Sequence, residues 1–417
     1  MIKRLGITIA LASLLCLALV PMTSNAQCCT KLSGYGGGWI QLFDGLNYDD
    51  WKVNEDHPET FSFKSGQIIA HGSRSHIFYT GGVLNNNFRN FELKVDVMTK
   101  PNANGGIFFH TKYKKEGWPS QGYEVQVNNT YAPDPRKTGS LYNTNDIMEQ
   151  YAQDGKWFTE HITVWEDHVI IKVDGKTVVN YIEKDAKPPK CLSSGTFALQ
   201  GHDPGSYIAY SNIRVKPLPD APTWEPLFNG KNLDNWEQIN GTATFEVKDG
   251  VVIGTTAKGS PNSFMCTKKM YSDFELEYEV KVDPTMNSGV QIRSNSLKEY
   301  QNGRVHGYQI EIDPAKRAWS GGIYDEARRG WLFDLKDDPK AQQAFTNGQW
   351  NKFRVLAVGD KIMTWVNDVP AADLDDGMTK EGFIALQVHG YSGDKPVSVA
   401  WRNIRIRDLS CNNCPKK

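Results

Sequence analysis

The sequence has no surplus of charge of either sign: 47 Lys and Arg stand against 48 Asp and Glu, a formal net charge of −1. A nucleic-acid binder shows a basic excess or stripe, so no nucleic-acid partner is expected. Beyond the N-terminus no apolar run is long enough to cross a bilayer, so no membrane span is expected in the mature chain. Helical periodicity is scarce, and residues 336–345 form the best candidate helix. No phosphate loop, H-E-x-x-H motif or Ser-His-Asp series appears, which removes the nucleotide, zincin and serine-hydrolase readings. What is abundant is Gly (37), Tyr (17) and Trp (12), a composition that suits β-structure with tight turns and aromatic surfaces. A 39% hydrophobic fraction is enough to build real cores. At roughly 100–200 residues per domain, the length predicts two or three domains.

The N-terminus reads as a targeting signal. Lys3 and Arg4 precede an apolar run over residues 5–20, and Ser24-Asn25-Ala26 offers small residues for cleavage after Ala26. Export to the periplasm or the extracellular space is therefore expected, a compartment that permits disulfides. Cys28 and Cys29 follow at once, but Gln27 stands where a small residue should precede a lipidated Cys, which argues against a lipid anchor. Four of the six mature cysteines (Cys28, Cys29, Cys411 and Cys414) lie at the chain ends; the other two are Cys191 and Cys266. One or two disulfides holding the termini are the expectation, and the pairing stays open.

The chain repeats itself. Leu42-Phe43-Asp44-Gly45 through Trp51 returns as Leu227-Phe228-Asn229-Gly230 through Trp236, 185 residues further on (227 minus 42). Further pairs keep the same order, among them Asn104-Gly105-Gly106 with Asn287-Ser288-Gly289, Gly122-Tyr123 with Gly307-Tyr308, and Asn212-Ile213-Arg214 with Asn403-Ile404-Arg405. A repeat this long is a duplicated domain. The expected organisation is a signal over 1–26, a first domain over 38–217, a Pro-rich linker over 218–223 and a second domain over 224–409. Within each copy, short alternating segments such as 91–97, 107–111, 123–127, 161–165, 169–173 and 208–215 are bounded by turn residues, and Asp174-Gly175 is a strong hairpin turn. The fold class expected is all-β, two tandem β-sandwiches of jelly-roll type.

Alternate residues of a strand share a face. Tyr123, Val125 and Val127 then point inward while Glu124, Gln126 and Asn128 point out. In the second copy Tyr308, Ile310 and Ile312 point inward while Gln309, Glu311 and Asp313 point out. The carboxylate and amide have exchanged places, about 7 Å apart in each copy. The same alternation turns Gln200 and His202, Gln387 and His389, Phe108 and His110, and Gln291 and Arg293 outward. Tyr142 and Tyr324 sit in matching nearby loops, and the second copy adds Asp325, Glu326, Arg328 and Arg329. The same residue types recur at matching places in both copies, which marks one candidate site per copy.

Gly105-Gly106-Ile107-Phe108-Phe109-His110, Gly122-Tyr123-Glu124-Val125-Gln126 and Phe197-Ala198-Leu199-Gln200-Gly201-His202, with their second-copy counterparts, resemble the 3-keto-disaccharide hydrolase domain family over nearly the whole mature chain. The resemblance implies a concanavalin-like jelly roll acting on glycosides oxidised at the sugar's third carbon, by hydrolysis or by elimination across C1–C2. It implies a catalytic set of Glu124, His110 and His202 in the first copy and Glu311, Arg293 and His389 in the second. Gln126, Tyr142, Gln200, Gln309, Tyr324, Asp325, Arg328 and Gln387 are the expected substrate contacts. Such chemistry needs a base (Glu or His), an enolate stabiliser (Arg, or a divalent metal ion held by Glu and His) and an acid (Tyr or His). The partner expected is an oxidised glycoside or another carbohydrate. An ordinary glycosidase would need paired carboxylates ~5–9.5 Å apart; Glu311-Ile312-Asp313 superficially suggests one, but Pro314 interrupts it and the first copy has no second acid. A non-catalytic lectin, with Trp51, Trp118, Trp236 or Trp331 stacking on sugar rings, is the alternative.

Overall fold

The computed structural model describes residues 38–410. The proposed signal segment and Cys28, Cys29, Cys411 and Cys414 lie outside the described residues. Cys191 and Cys266, the two cysteines within them, are both free thiols.

Each copy is a sandwich of two sheets. In the first, an eight-stranded sheet that includes Phe91–Thr99, Phe158–Trp165 and Ile208–Pro217 backs a five-stranded one. The five run in the order Trp51–Val53, Ser75–Tyr79, Thr196–Gly201, Gly105–Thr111, Tyr123–Val127, and neighbours pair antiparallel. The second copy repeats this with an eight-stranded and a seven-stranded sheet, the latter gaining Ile323–Glu326 and Gly330–Phe333 at its edge. The cores form where the two sheets of each copy face one another. Ile107, Phe109, Tyr123 and Val125 meet Val95, Ile162 and Tyr210 in the first; Val290, Ile292, Tyr308 and Ile310 meet Tyr278, Phe353 and Trp401 in the second.

The repeated motifs perform the same task twice. The amide of Leu42 donates to the carbonyl of Ile213 at 2.8 Å, and that of Leu227 donates to Ile404 at 2.9 Å. The two Asn-Ile-Arg motifs thus anchor the start of each sandwich to its last long strand. Asp174-Gly175 makes the hairpin turn with positive φ at both residues (48° and 83°), as a two-residue turn of this hand requires. Trp51 and Trp236 are core residues, not sugar platforms. The expected helix over 336–345 shrinks to one turn, Pro339–Gln342, capped by the Asp338 carboxylate, which accepts from the Ala341 amide at 2.9 Å.

The two sandwiches are held together by a partly buried ion cluster and an apolar patch. Arg354 of the second donates to both carboxylate oxygens of Asp167 of the first, at 3.1 and 2.9 Å, and also bonds Glu275. Beside it Ile182, Met363 and Trp365 pack together, and the Trp365 indole donates to Asn180 Oδ1 at 3.2 Å. The linker is held too: Trp165 Nε1 donates to Pro219 O and the Ala221 amide donates to Glu166, both at 3.0 Å.

Candidate functional site

The outer face of the five-stranded sheet carries two rows of side chains, set by strand register. One row runs Phe78, Ala198, Phe108, Glu124; the next runs His76, Gln200, Gly106, Gln126. The strands are buried on both faces, because loops and large side chains cover the outer one. Glu124 leans across Gly106 toward Gln200, whose Nε2 donates to Glu124 Oε1 at 3.1 Å. A Cβ on Gly106 would lie 2.3 Å from that carboxylate oxygen, so only glycine admits this conformation. Burial pushes the Glu124 pKa up to about 8, with Gln200 and the charge of Lys190 opposing the shift and Asp134 adding to it.

Gln126 donates to Asn104 Oδ1 at 3.1 Å. Tyr142 stands beside Arg136, whose guanidinium lies 4.8 Å from the ring centre, and its carbonyl accepts from Lys190 Nζ at 2.8 Å. His202 sits half-buried at the end of its strand, bonded to Asp203 at 2.8 Å and close to the Trp118 and Tyr131 rings. Two residues outside the expected set join this face. Lys190 brings a cation from a distant loop. His76 lies fully buried among Phe78, Phe108 and Trp118, with neither ring nitrogen hydrogen-bonded; burial pushes its pKa down to about 3, so it is neutral.

The second copy has the same lattice with exchanged chemistry. Its rows are Cys266, Ala385, Gln291, Gln309, Tyr324, Trp331 and Phe264, Gln387, Gly289, Glu311. Gln309 therefore occupies the place of Glu124, and Glu311 that of Gln126. Glu311 accepts from Asn287 Nδ2 at 2.6 Å, from Gln309 Nε2 at 2.8 Å and from Arg317 Nη2 at 3.5 Å. Gln309 Oε1 accepts from both Gln291 and Gln387 at 2.7 Å. Burial raises the Glu311 pKa while its donors oppose the rise. Over this face opens a cleft of about 900 Å³ that also reaches Trp331, Glu326 and the exposed His389.

Four expected residues lie elsewhere. His110 and Arg293 were placed outward by alternation, but each sits at a β-bulge with positive φ (55° and 45°), which turns the side chain away from the row. His110 Nε2 bonds Arg89 O at 2.8 Å, and Arg293 Nε donates to Ser272 O at 2.6 Å. Those carbonyls are equivalent in the two copies. Arg293 is fully buried and also bonds Gly359 O and Asp273, which leaves it no role toward a substrate. Both side chains pin the start of the following core strand. Asp325 and Arg328 are also misplaced. In the strand Ile323–Glu326 it is Tyr324 and Glu326 that reach the cleft, while buried Asp325 faces the opposite way and pairs with Arg328 (2.6 Å) and Arg329 (2.5 Å). Among the described residues no three His, Cys, Asp or Glu side chains converge on a point that could hold a metal ion, so no step is assigned to one.

A family model described as a 3-keto-alpha-glucoside-1,2-lyase-like domain matches the chain twice, over residues 38–216 and 223–407. Among solved structures, a Parabacteroides distasonis protein provisionally described as a glycosyl hydrolase is 21% identical, with a TM-score of 0.38, covering 45% of this chain and 97% of that one. The carbohydrate-binding module CBM66 from Bacillus subtilis is 18% identical, TM-score 0.29, covering 42% and 95%. A β-1,3-1,4-glucanase from a mouse hindgut metagenome is 15% identical, TM-score 0.32, covering 45% and 96%. Among the curated proteins none matches.

Proposed function

The chain belongs to the 3-keto-alpha-glucoside-1,2-lyase-like domain family and is a carbohydrate-active protein, and from this premise we propose that it cleaves glycosides bearing a ketone at C3, with the first sandwich as the catalytic one. The observation that carries this reading is Glu124, a carboxyl raised to about 8 in a mostly apolar row, with a cation close by. A general base works best when its pKa lies near the working pH. The C3 ketone acidifies the hydrogen on C2. The Glu124 carboxylate takes that proton, and the C–H electrons move to the C3 oxygen as an enolate. The Lys190 ammonium and the Gln200 amide are the nearby donors that would steady this charge. The enolate then expels the C1 oxygen, and the leaving oxygen takes a proton from Tyr142 or His202. Water adding across the C1–C2 double bond completes a net hydrolysis; without that step the product is the unsaturated keto sugar.

The export expected from the N-terminal segment belongs to the same proposal. The test is to incubate the full chain with a 3-keto-glucoside and with the unoxidised glucoside in D2O, following both by NMR. Cleavage of the keto sugar alone, with deuterium entering at C2 as D2O adds across the C1–C2 double bond, is expected. Equal cleavage of both sugars overturns the reading.

A further inference from the structure

We propose that the cleft of the second sandwich binds a neutral oligosaccharide without cleaving it. This rests on the reading above for the first sandwich, but its evidence is separate.

The cleft, about 900 Å³, lies near the top of the ~300–1,000 Å³ range of ligand sites, which is room for more than one sugar ring. Half of its polar lining is carboxamide: Asn240, Asn262, Asn287, Gln301, Asn302 and Gln309. A carboxamide offers a donor and an acceptor in one plane, which suits hydroxyl groups that need both. An apolar sugar face needs an aromatic plane, and Trp331 supplies one. It is held edge-on by Trp319 at 4.8 Å and by Tyr324 at 5.3 Å. The fully buried Gln387 lies in the row between Phe264 and Glu311, and its amide donates to Gln309 Oε1 at 2.7 Å, which fixes that lining carboxamide from below.

The same lattice explains why this site should not cleave. The position of the base is an amide, Gln309, which does not titrate. The position of His76 is Phe264. Glu311 is tied by three donors, one of them the Arg317 guanidinium, and so is placed to accept hydroxyl bonds. The ligand should also be neutral. Arg304 pairs with Glu326 at 3.3 Å and Arg317 with Glu311 at 3.5 Å, so these four lining charges balance and leave no surplus to select an acidic sugar.

The test uses the full chain, with maltotriose, cellotriose and laminaritriose as neutral probes and trigalacturonic acid as the acidic one. Binding is read by calorimetry on the wild type, Trp331→Ala and Glu124→Gln. At least one neutral trisaccharide should bind, Trp331→Ala should weaken it tenfold or more, and Glu124→Gln should keep it. Should Trp331→Ala fail to fold, protein labelled with 5-fluorotryptophan gives a second readout: the Trp331 resonance, assigned from Trp331→Phe, should shift with sugar. No binding of any neutral probe, tighter binding of the acidic one, or an unmoved Trp331 resonance overturns the proposal. So does turnover of the keto sugar by Glu124→Gln that the added change Trp331→Ala abolishes, which would make the second sandwich a cleaving site. A wild type that binds the trisaccharide but never turns over a 3-keto-glucoside sinks the catalytic reading and leaves this one standing.

Discussion

Two faces built on one lattice exchange a carboxyl and an amide between two positions: Glu124 and Gln126 in the first stand where Gln309 and Glu311 stand in the second. In the first sandwich the carboxyl stands in the apolar row, with a single amide donor, and its pKa rises to about 8. In the second the carboxyl stands one row over, among three donors. The difference teaches that a residue type does not define a role. A buried carboxyl with few partners holds its proton to higher pH, whereas donors around a carboxylate oppose that rise. The glycines below confirm that both side chains are deliberately seated. A Cβ on Gly106 would strike Glu124, and one on Gly289 would lie 2.5 Å from Gln309.

The largest effect that would sharpen this comparison is the loss of the base. Glu124→Gln makes the first face resemble the second, and turnover of a 3-keto-glucoside should fall about a thousandfold. Single-turnover kinetics would measure it, and a loss under tenfold would break the assignment. Next comes pH. The base acts ionised, so kcat/KM should rise about tenfold per unit below the Glu124 pKa and level off above about 8. A profile already flat from pH 5 would place the base elsewhere. A smaller effect separates Gln200 from Gln387. Gln200 opposes the rise in the Glu124 pKa, so Gln200→Leu should move the profile's midpoint to higher pH and slow turnover several-fold at pH 7. Gln387→Leu touches only an amide that does not titrate, so its effect should appear as weaker sugar binding with the midpoint unmoved.

Much of this was legible in the sequence. The duplication was written in pairs such as Leu42 and Leu227, and alternation placed Glu124, Gln126, Gln200 and their partners on one face. It failed at His110 and Arg293 because a bulge adds a residue and reverses every side chain beyond it, and nothing in either segment announces the bulge. At Asp325 the reason is simpler: strict alternation from Tyr324 selects Glu326, and treating the whole loop as one patch hides this. His76 was overlooked because Ser75–Tyr79 is buried on both faces and shows no alternation. A signal did exist: Ser75-His76 aligns with Ser263-Phe264, so a histidine stands where packing alone is met by phenylalanine. Lys190 left no trace, since only the fold brings its loop to Glu124.

The smallest effect expected concerns a second buried acid of the first sandwich, behind the face discussed above. Glu160 lies opposite Val95, as Phe353 lies opposite Tyr278 in the second copy, so the two occupy equivalent core positions. Glu160 is fully buried and neither carboxyl oxygen has a hydrogen-bond partner. The backbone N–H of Gly139 is near enough to counter its shift slightly, but that group already donates to Gln126 O at 2.9 Å. Burial therefore holds the Glu160 pKa well above 4.5, and the group is folded as the neutral acid. The sign follows from linkage. Below the unfolded value near 4.5 both states keep the proton and no penalty arises. As pH climbs past it the unfolded chain releases the proton while the folded one holds it, so stability falls. Glu160→Leu removes an unpaired buried polar group and should stabilise the protein by about 1–3 kcal/mol. The gain should grow between pH 5 and pH 8, which urea unfolding at several pH values would measure. Phe353→Leu, at the matching place, should show no such growth. A gain from Glu160→Leu that stays constant with pH would mean that the carboxyl ionises inside the fold, and the first sandwich would then hold a buried charge that the second does not.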